Sequence, residues 1–272
     1  MDWSPAGPVL ATAASVDLSV VLWDVSDLRH PTVTARVHAG EFPGPDVNFF
    51  SRFSPDGRTL VVGNGVLVGQ GTLTFIDAAD GKVLREVHLQ NVADAAFTPD
   101  SETVAVSGAQ AALIDVATGE TIAINATQWF SSVAFAHGGK WLVTSRFPDE
   151  SLPLSFLGQE GTAAPATAAS ETVVELWDAT SLRPVGKPIA VPAHLVCCGG
   201  PNPDGTKIVT GEWVDPATPD LNTAAILWEL DPQRWAELGC EIAGRNLTSD
   251  EWSYYLPGPD FRTTCEQWPA AT

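Results

Sequence analysis

The sequence predicts an all-β fold of four-stranded antiparallel units in tandem, followed by a short α-helical C-terminal tail. Three observations predict it. First, five hydrophobic runs end in tryptophan or isoleucine followed by an acid: Leu22-Trp23-Asp24, Phe75-Ile76-Asp77, Leu113-Ile114-Asp115, Leu176-Trp177-Asp178 and Leu227-Trp228-Glu229. Second, a turn signal precedes each run: Ser4-Pro5-Ala6-Gly7, Ser54-Pro55-Asp56-Gly57, Thr98-Pro99-Asp100, the degenerate Ala136-His137-Gly138-Gly139, and Asn202-Pro203-Asp204-Gly205. Self-similarity at this period marks a repeat architecture. Third, the 272 residues are 44% hydrophobic and only 17% charged, with 23 glycines and 21 prolines, which suits short strands joined by tight turns rather than a helical bundle.

The second repeat is the clearest. Val47 to Phe53 is an apolar-rich stretch that feeds the Ser54-Pro55-Asp56-Gly57 turn, where proline presets φ and glycine relieves the tightest position. Thr59 to Val62 follows as a β-branched strand, Thr72 to Ile76 as the next, and Lys82 to Val87 as a fourth whose alternation implies one packed and one wet face. Four strands in about 40 residues make a propeller blade. The third repeat copies this with Val92 to Phe97, Thr103 to Ser107, Ala111 to Asp115 and Thr121 to Ile124. The fourth runs Ser132 to Phe135, Trp141 to Ser145, Val173 to Asp178 and Val185 to Ile189. The first repeat is expected to hold three strands, because nothing precedes its opening turn. The fifth has Leu195 to Cys198, Lys207 to Gly211 and Ala224 to Leu230, with no outer strand before the chain turns helical. About five blades are therefore expected, in a partial or open β-propeller over residues 1–230, with a helical extension over 231–272 packed on it.

Extra length falls at one kind of place. Residues 147–172, rich in Ala, Thr and Pro, interrupt the fourth repeat between its second and third strands, and residues 214–223 do the same in the fifth. The glycine-rich stretch Gly63 to Gly71 occupies this position in the second repeat and reads as a flexible hairpin connection. Equivalent connections of a radial array emerge on one face, so one face carries the adaptable loops. In the tail, Asp231-Pro232 is an N-cap with proline at the first helical position, Gly244 ends that helix, and Thr248-Ser249-Asp250-Glu251 is a capping box for a second helix stopped by Pro257-Gly258.

Charge narrows the partners. Fourteen basic against 33 acidic residues give a net −19, which repels phosphate backbones and anionic lipid and argues against nucleic acid and membrane partners. No apolar run reaches a membrane span, and no basic region followed by an apolar stretch opens the chain, so a cytoplasmic location is expected. Met1 opens directly onto a repeat turn, which points to the C-terminal part of a longer protein.

The candidate chemistry is thin. Cys197 and Cys198 are adjacent in a predicted strand, cannot chelate one ion together, and read as core cysteines. Cys240 and Cys265 flank the helical tail and are a candidate disulfide pair: the loop-rich tail argues for the bond and a cytosolic location against it. His30, His38, His88, His137 and His194 are scattered and make no ligand spacing. Neither a nucleophile elbow nor a phosphate loop occurs. No catalytic, cofactor-binding or metal-ligating residues are assigned, and no cofactor is expected. Of the ten tryptophans, Trp23, Trp177 and Trp228 should pack between blades, Trp141 opens a second strand, and Trp129, Trp213, Trp252 and Trp268 have no obvious home.

Taken together, the proline-aspartate-glycine turns and tryptophan-aspartate endings over residues 3–230 resemble WD repeats. The glycine-histidine pair of a full repeat is missing, and isoleucine replaces tryptophan in repeats two and three. The tail, from Arg234-Trp235-Ala236 through Glu251-Trp252 to Trp268-Pro269, is similar to the end of many large bacterial WD-repeat signalling proteins, whose propeller often follows a nucleotide-hydrolysing switch domain. The resemblance implies a non-enzymatic scaffold or sensor that binds a protein partner, a basic one given the acidic surface, with self-association through open blade edges. The alternatives are a truncated gene product or a propeller enzyme, a hydrolase or dehydrogenase with a site in the central funnel. For that enzyme, Asp46 and Asp94 are the inner-strand acids on offer.

Overall fold

The computed structural model describes residues 1–15, 17–39, 47–66, 69–125, 130–146, 172–191, 196–202, 204–212 and 225–271. They form five antiparallel sheets, each with its strands side by side in chain order, and then two helices. Sheet one holds β1 (Asp2–Trp3), β2 (Val9–Ala14), β3 (Ser19–Asp24) and β4 (Thr32–His38). Sheet two holds β5 (Val47–Phe53), β6 (Thr59–Val66), β7 (Gly71–Asp77) and β8 (Val83–Leu89). Sheet three holds β9 (Asp94–Phe97), β10 (Thr103–Ser107), β11 (Ala111–Asp115) and β12 (Thr121–Asn125). Sheet four holds β13 (Ser132–Ala136), β14 (Trp141–Arg146), β15 (Thr172–Asp178) and β16 (Ile189–Val191). Sheet five stops at three strands, β17 (Val196–Pro201), β18 (Lys207–Glu212) and β19 (Ala225–Glu229).

Two strands depart from expectation. Sheet one has an inner strand after all, because Asp2 pairs with Ala11 and Trp3 with Leu10. The outer strand of sheet four lies at Ile189–Val191 rather than 185–189. Pro184 and Pro188 lack an N–H to donate, so the ladder forms past them and Pro184 makes only an isolated bridge to Trp177.

The paired residues at each run's end explain the packing. Successive strand residues point to opposite faces of a sheet. In sheets two to five the second residue of the pair (Ile76, Ile114, Trp177, Trp228) packs into the core shared with the preceding sheet. In sheets one to four the first residue (Leu22, Phe75, Leu113, Leu176) packs toward the following sheet. The second strands obey the same parity: Leu60, Val104, Leu142 and Ile208 face back, while Ala11, Val61, Ala105 and Val143 face forward. Four apolar cores therefore lie between consecutive sheets, and inner strands β5, β9, β13 and β17 each touch the sheet before. Among the described residues, no such extended contact joins sheet five back to sheet one.

The acid that ends each run has a local task. Asp77, Asp115 and Asp178 accept backbone N–H bonds from Ala79 at 2.8 Å, Thr118 at 2.7 Å and Ser181 at 2.8 Å, which closes the turn into the outer strand. Asp56, Asp100 and Asp204 do the same in the first turn, accepting from Arg58, Glu102 and Thr206. These are Asx-type turns, and they recur because every sheet reverses direction at the same two places.

Gly65 and Gly71 correct the expectation of a flexible connection. They face each other in the β6–β7 ladder, within regular strands. A Cβ on Gly65 would sit 2.7 Å from the backbone nitrogen of Val92, and one on Gly71 2.8 Å from it. Glycine here allows sheet two to approach the backbone entering sheet three.

The tail folds around one buried amide. Helix α1 (Pro232–Ala243) is capped by Asp231 and ends at Gly244, and α2 (Ser249–Tyr255) opens with the Thr248/Glu251 capping box. Asn246 is 1% exposed, and its side chain donates to the carbonyls of Cys265, Trp268 and Pro269 while accepting from the N–H groups of Thr264 and Cys265. One side chain thus fixes the whole terminal loop. Trp235 of α1 stacks on Trp141 of sheet four with ring centroids 5.4 Å apart, and its indole N–H donates to the Glu229 carbonyl.

Candidate functional site at the loop end of the sheets

Each inner strand starts, and each second strand hands over to the third, at the same end of its sheet. This loop end carries the openings of the 147–171 and 213–224 segments, which lie outside the described residues. The opposite end carries the short aspartate turns. Buried polar side chains gather at the loop end, including Asn64, Asn91, Ser107, Ser132, Ser145 and Glu175.

The mouth of the longest connection has the densest network. Ser145 Oγ lies 2.7 Å from Ser131 Oγ and 2.5 Å from Ser132 Oγ, which ties β14 to the start of β13. Arg146, the last described residue before the connection, donates to Glu175 at 3.1 Å on the strand that receives it. Beneath this pair, the Trp177 indole N–H donates to Thr144 Oγ1 at 2.9 Å. The second oxygen of Glu175 is buried and accepts no hydrogen bond among the described residues. An under-satisfied buried carboxylate is costly, so the mouth is polar at a stability cost.

Asp94, one of the two inner-strand acids, links sheets two and three. Its carboxylate accepts from Arg52 of sheet two at 2.9 Å, and the backbone N–H of Val133 in sheet four lies near enough to favour its charged form. Burial raises its pKa above the ordinary aspartate value, with the Arg52 charge and these contacts opposing the rise. Such a carboxylate acts as a clamp near the axis. Its companion Asp46 lies outside the described residues, so the two acids are not brought together on view. Among the described residues, no three His, Cys, Asp or Glu side chains converge as a metal-binding group.

The remaining candidates fall in scattered places. A disulfide joins Cys240 and Cys265 with Cα atoms 5.5 Å apart, both residues buried, between α1 and the terminal loop. Cys197 and Cys198 are consecutive residues of β17. His137 stacks on Trp141 at 5.1 Å, at the turn end. His30 is exposed beside Asp27. Trp252 is buried and donates to the Pro259 carbonyl, while Trp268 donates to the Cys240 carbonyl. Trp129, Trp213 and His194 lie outside the described residues.

Comparison with known proteins decides the architecture. The WD domain, G-beta repeat family model matches residues 1–24, the first turn and run. The structure is similar to Kuenenia stuttgartiensis hydrazine synthase, with a TM-score of 0.63 and 18% identity over 85% of this chain. The fold is a β-propeller. Its sheets are blades, and the repeat match supports a propeller of the WD type. The chain spans 62% of the hydrazine synthase chain, and a likeness at that identity speaks for the fold alone. Among curated proteins, none matches the sequence. Among the described residues, no helix is long and apolar enough to cross a membrane.

Sequence reasoning missed Ser131, Ser132, Ser145, Arg146 and Glu175. The serines are common residues without a motif, and the Arg146–Glu175 pair spans the long connection. The one signal available was the position of residues 147–172, which marked the ends of β14 and β15 as the mouth of a variable segment.

Proposed function

We propose that this chain is a non-enzymatic WD-repeat propeller that holds a protein partner at the loop end of its blades, as a scaffold or sensor module of a larger signalling protein. The observation that carries this reading is that the strands flanking the long connections of blades four and five open at one common end, which in blade four is lined by a buried polar network. Binding residues concentrate on loops that a stiff scaffold positions. Blades clamped across sheets by Asp94 and by shared apolar cores supply that stiffness. The tail, residues 231–272, is read as an extension held against blade four by the Trp235–Trp141 stack.

The net −19 favours a basic partner and disfavours nucleic acid, since like charge repels phosphate and opposite charge speeds encounter. A second route to partners is the outer edge of β19, which no fourth strand covers in the described sheet.

The test is affinity capture from cell extract with the full chain and with a variant whose residues 150–168 are replaced by a short glycine-containing turn. Both proteins should melt at similar temperatures. A protein retained by the first and lost by the second supports the reading, and its retention should fall with salt. Identical captured sets overturn it.

A further inference from the structure

The tail holds its shape without an apolar core. None of the four cores between blades includes a residue of 231–271, and within that described stretch the buried side chains are Cys240, Asn246, Trp252 and Cys265. Two ties hold it instead, and both converge on Cys265. The disulfide joins its sulfur to Cys240 of α1, 25 residues earlier. The Asn246 amide, between the two helices, accepts from its N–H at 2.8 Å and donates to its carbonyl at 3.0 Å. The loop so held closes over the helices. Trp268 donates its indole N–H to the Cys240 carbonyl at 2.9 Å, Phe261 meets the buried Trp252 ring edge-on at 5.9 Å, and Pro259 accepts from the Trp252 indole at 2.8 Å. Attachment to the blades is a separate matter: the Trp235–Trp141 stack and the Trp235 bond to Glu229 lie on the N-terminal side of Cys240.

A segment without an apolar core depends on a cross-link for its order. Closing a loop of 25 residues shifts the balance between ordered and unfolded chain on the order of 100-fold. We propose that the tail is a redox-conditional clasp: residues 256–269 are held over α1 and α2 while the Cys240–Cys265 bond is intact, and are released when a dithiol reductant opens it. Both cysteines are buried, whereas residues 256–264 and 266–270 are exposed, so attack follows a local opening of the loop. A thiolate of the dithiol attacks one sulfur and displaces the other as a thiolate, which takes up a proton. The second thiol of the reductant then closes on the first and frees the remaining cysteine. Two electrons and two protons pass to Cys240 and Cys265, and the dithiol leaves as its own disulfide. The bond persists in an oxidising compartment and opens in a reducing one, so the clasp is set by its surroundings. The blades and the Trp235 attachment are untouched by the exchange. The inference rests on the tail alone and is independent of the partner proposed for the loop end.

The test is amide hydrogen exchange of the full chain, first refolded in air and then in dithiothreitol. Reduction should speed exchange over residues 256–269 on the order of 100-fold, leave the blade strands unchanged, and shift tryptophan emission to the red as Trp252 loses its cover. Removing the reductant in air should restore the first state. A Cys240→Ser/Cys265→Ser variant should match the reduced protein in both buffers, which separates the effect from Cys197 and Cys198. Exchange over 256–269 that reduction leaves unchanged overturns the proposal. So do blade strands that loosen together with the tail, air-refolded protein in which Cys240 and Cys265 both react with iodoacetamide in denaturant, and a double variant that still responds to dithiothreitol.

Discussion

Leu176 and Leu227 hold the same position in successive repeats, and truncating each to alanine should have very different consequences. Leu176 is 6% exposed and packs in the core shared by blades four and five, with Val143, Val174, Ile208 and Leu230. Removing it loses the transfer energy of the deleted carbons, roughly 2 kcal/mol at about 0.8 kcal/mol per methylene, and leaves a cavity besides. The expected loss is about 3 kcal/mol, within the range for core leucines. Leu227 is 61% exposed, so under half of its side chain contributes, and no closed cavity can form. Its truncation should cost less than about 1 kcal/mol. Urea denaturation of dilute protein, followed by tryptophan fluorescence, reads both values. Equal losses, or a larger one at Leu227, would refute the assignment of faces on which the blade order rests.

Further outcomes follow from other parts of the molecule. Gly65→Ala should destabilise by about 1–3 kcal/mol in the same denaturation assay, because its new methyl would press on the Val92 backbone. Asn246→Ala should release the terminal loop, visible as faster amide hydrogen exchange over residues 264–269 with the blade strands unchanged, since those carbonyls and N–H groups lose their common partner. Acid should weaken the fold. Hydrogen bonds from Thr98, Thr118, Ser181 and Thr206 hold Asp100, Asp115, Asp178 and Asp204 below the ordinary 3.8, and Arg245 holds Glu251 down at about 2. Their stabilising contribution is complete above the unfolded values and disappears as pH falls through the folded ones. Asp94 has the opposite sign, losing stability as pH rises from 3.8 toward its raised value. Thermal melts should therefore drop steeply below about pH 4, and Asp94→Asn should move the curve in the contrary direction to Asp178→Asn.

What the sequence disclosed was whatever repeats locally. The terminal acids, the proline turns and the helix caps were legible because each satisfies backbone groups a few residues away, as Asp178 does for Ser181 and Thr248 for Glu251. The missing outer strand of blade five was legible because the run after Glu229 turns helical at once. Contacts between distant residues were not legible. Gly65 looked like a flexible loop because its reason, the Val92 backbone, belongs to the next blade. Asp94 looked like a spare acid because its partners Arg52 and Val133 lie in other blades. Asn246 was not legible, since its five hydrogen bonds all reach residues 264–269. The inner strand of blade one was overlooked because two residues, Asp2 and Trp3, carry too little pattern to announce a strand.

A crystal structure of the full chain tests the central claim most directly. It should place Asp94 between Arg52 of the preceding blade and the Val133 N–H of the following one, with the five sheets turned in sequence about that clamp. Two sheets stacked face to face, or Asp94 remote from either neighbour, would contradict it.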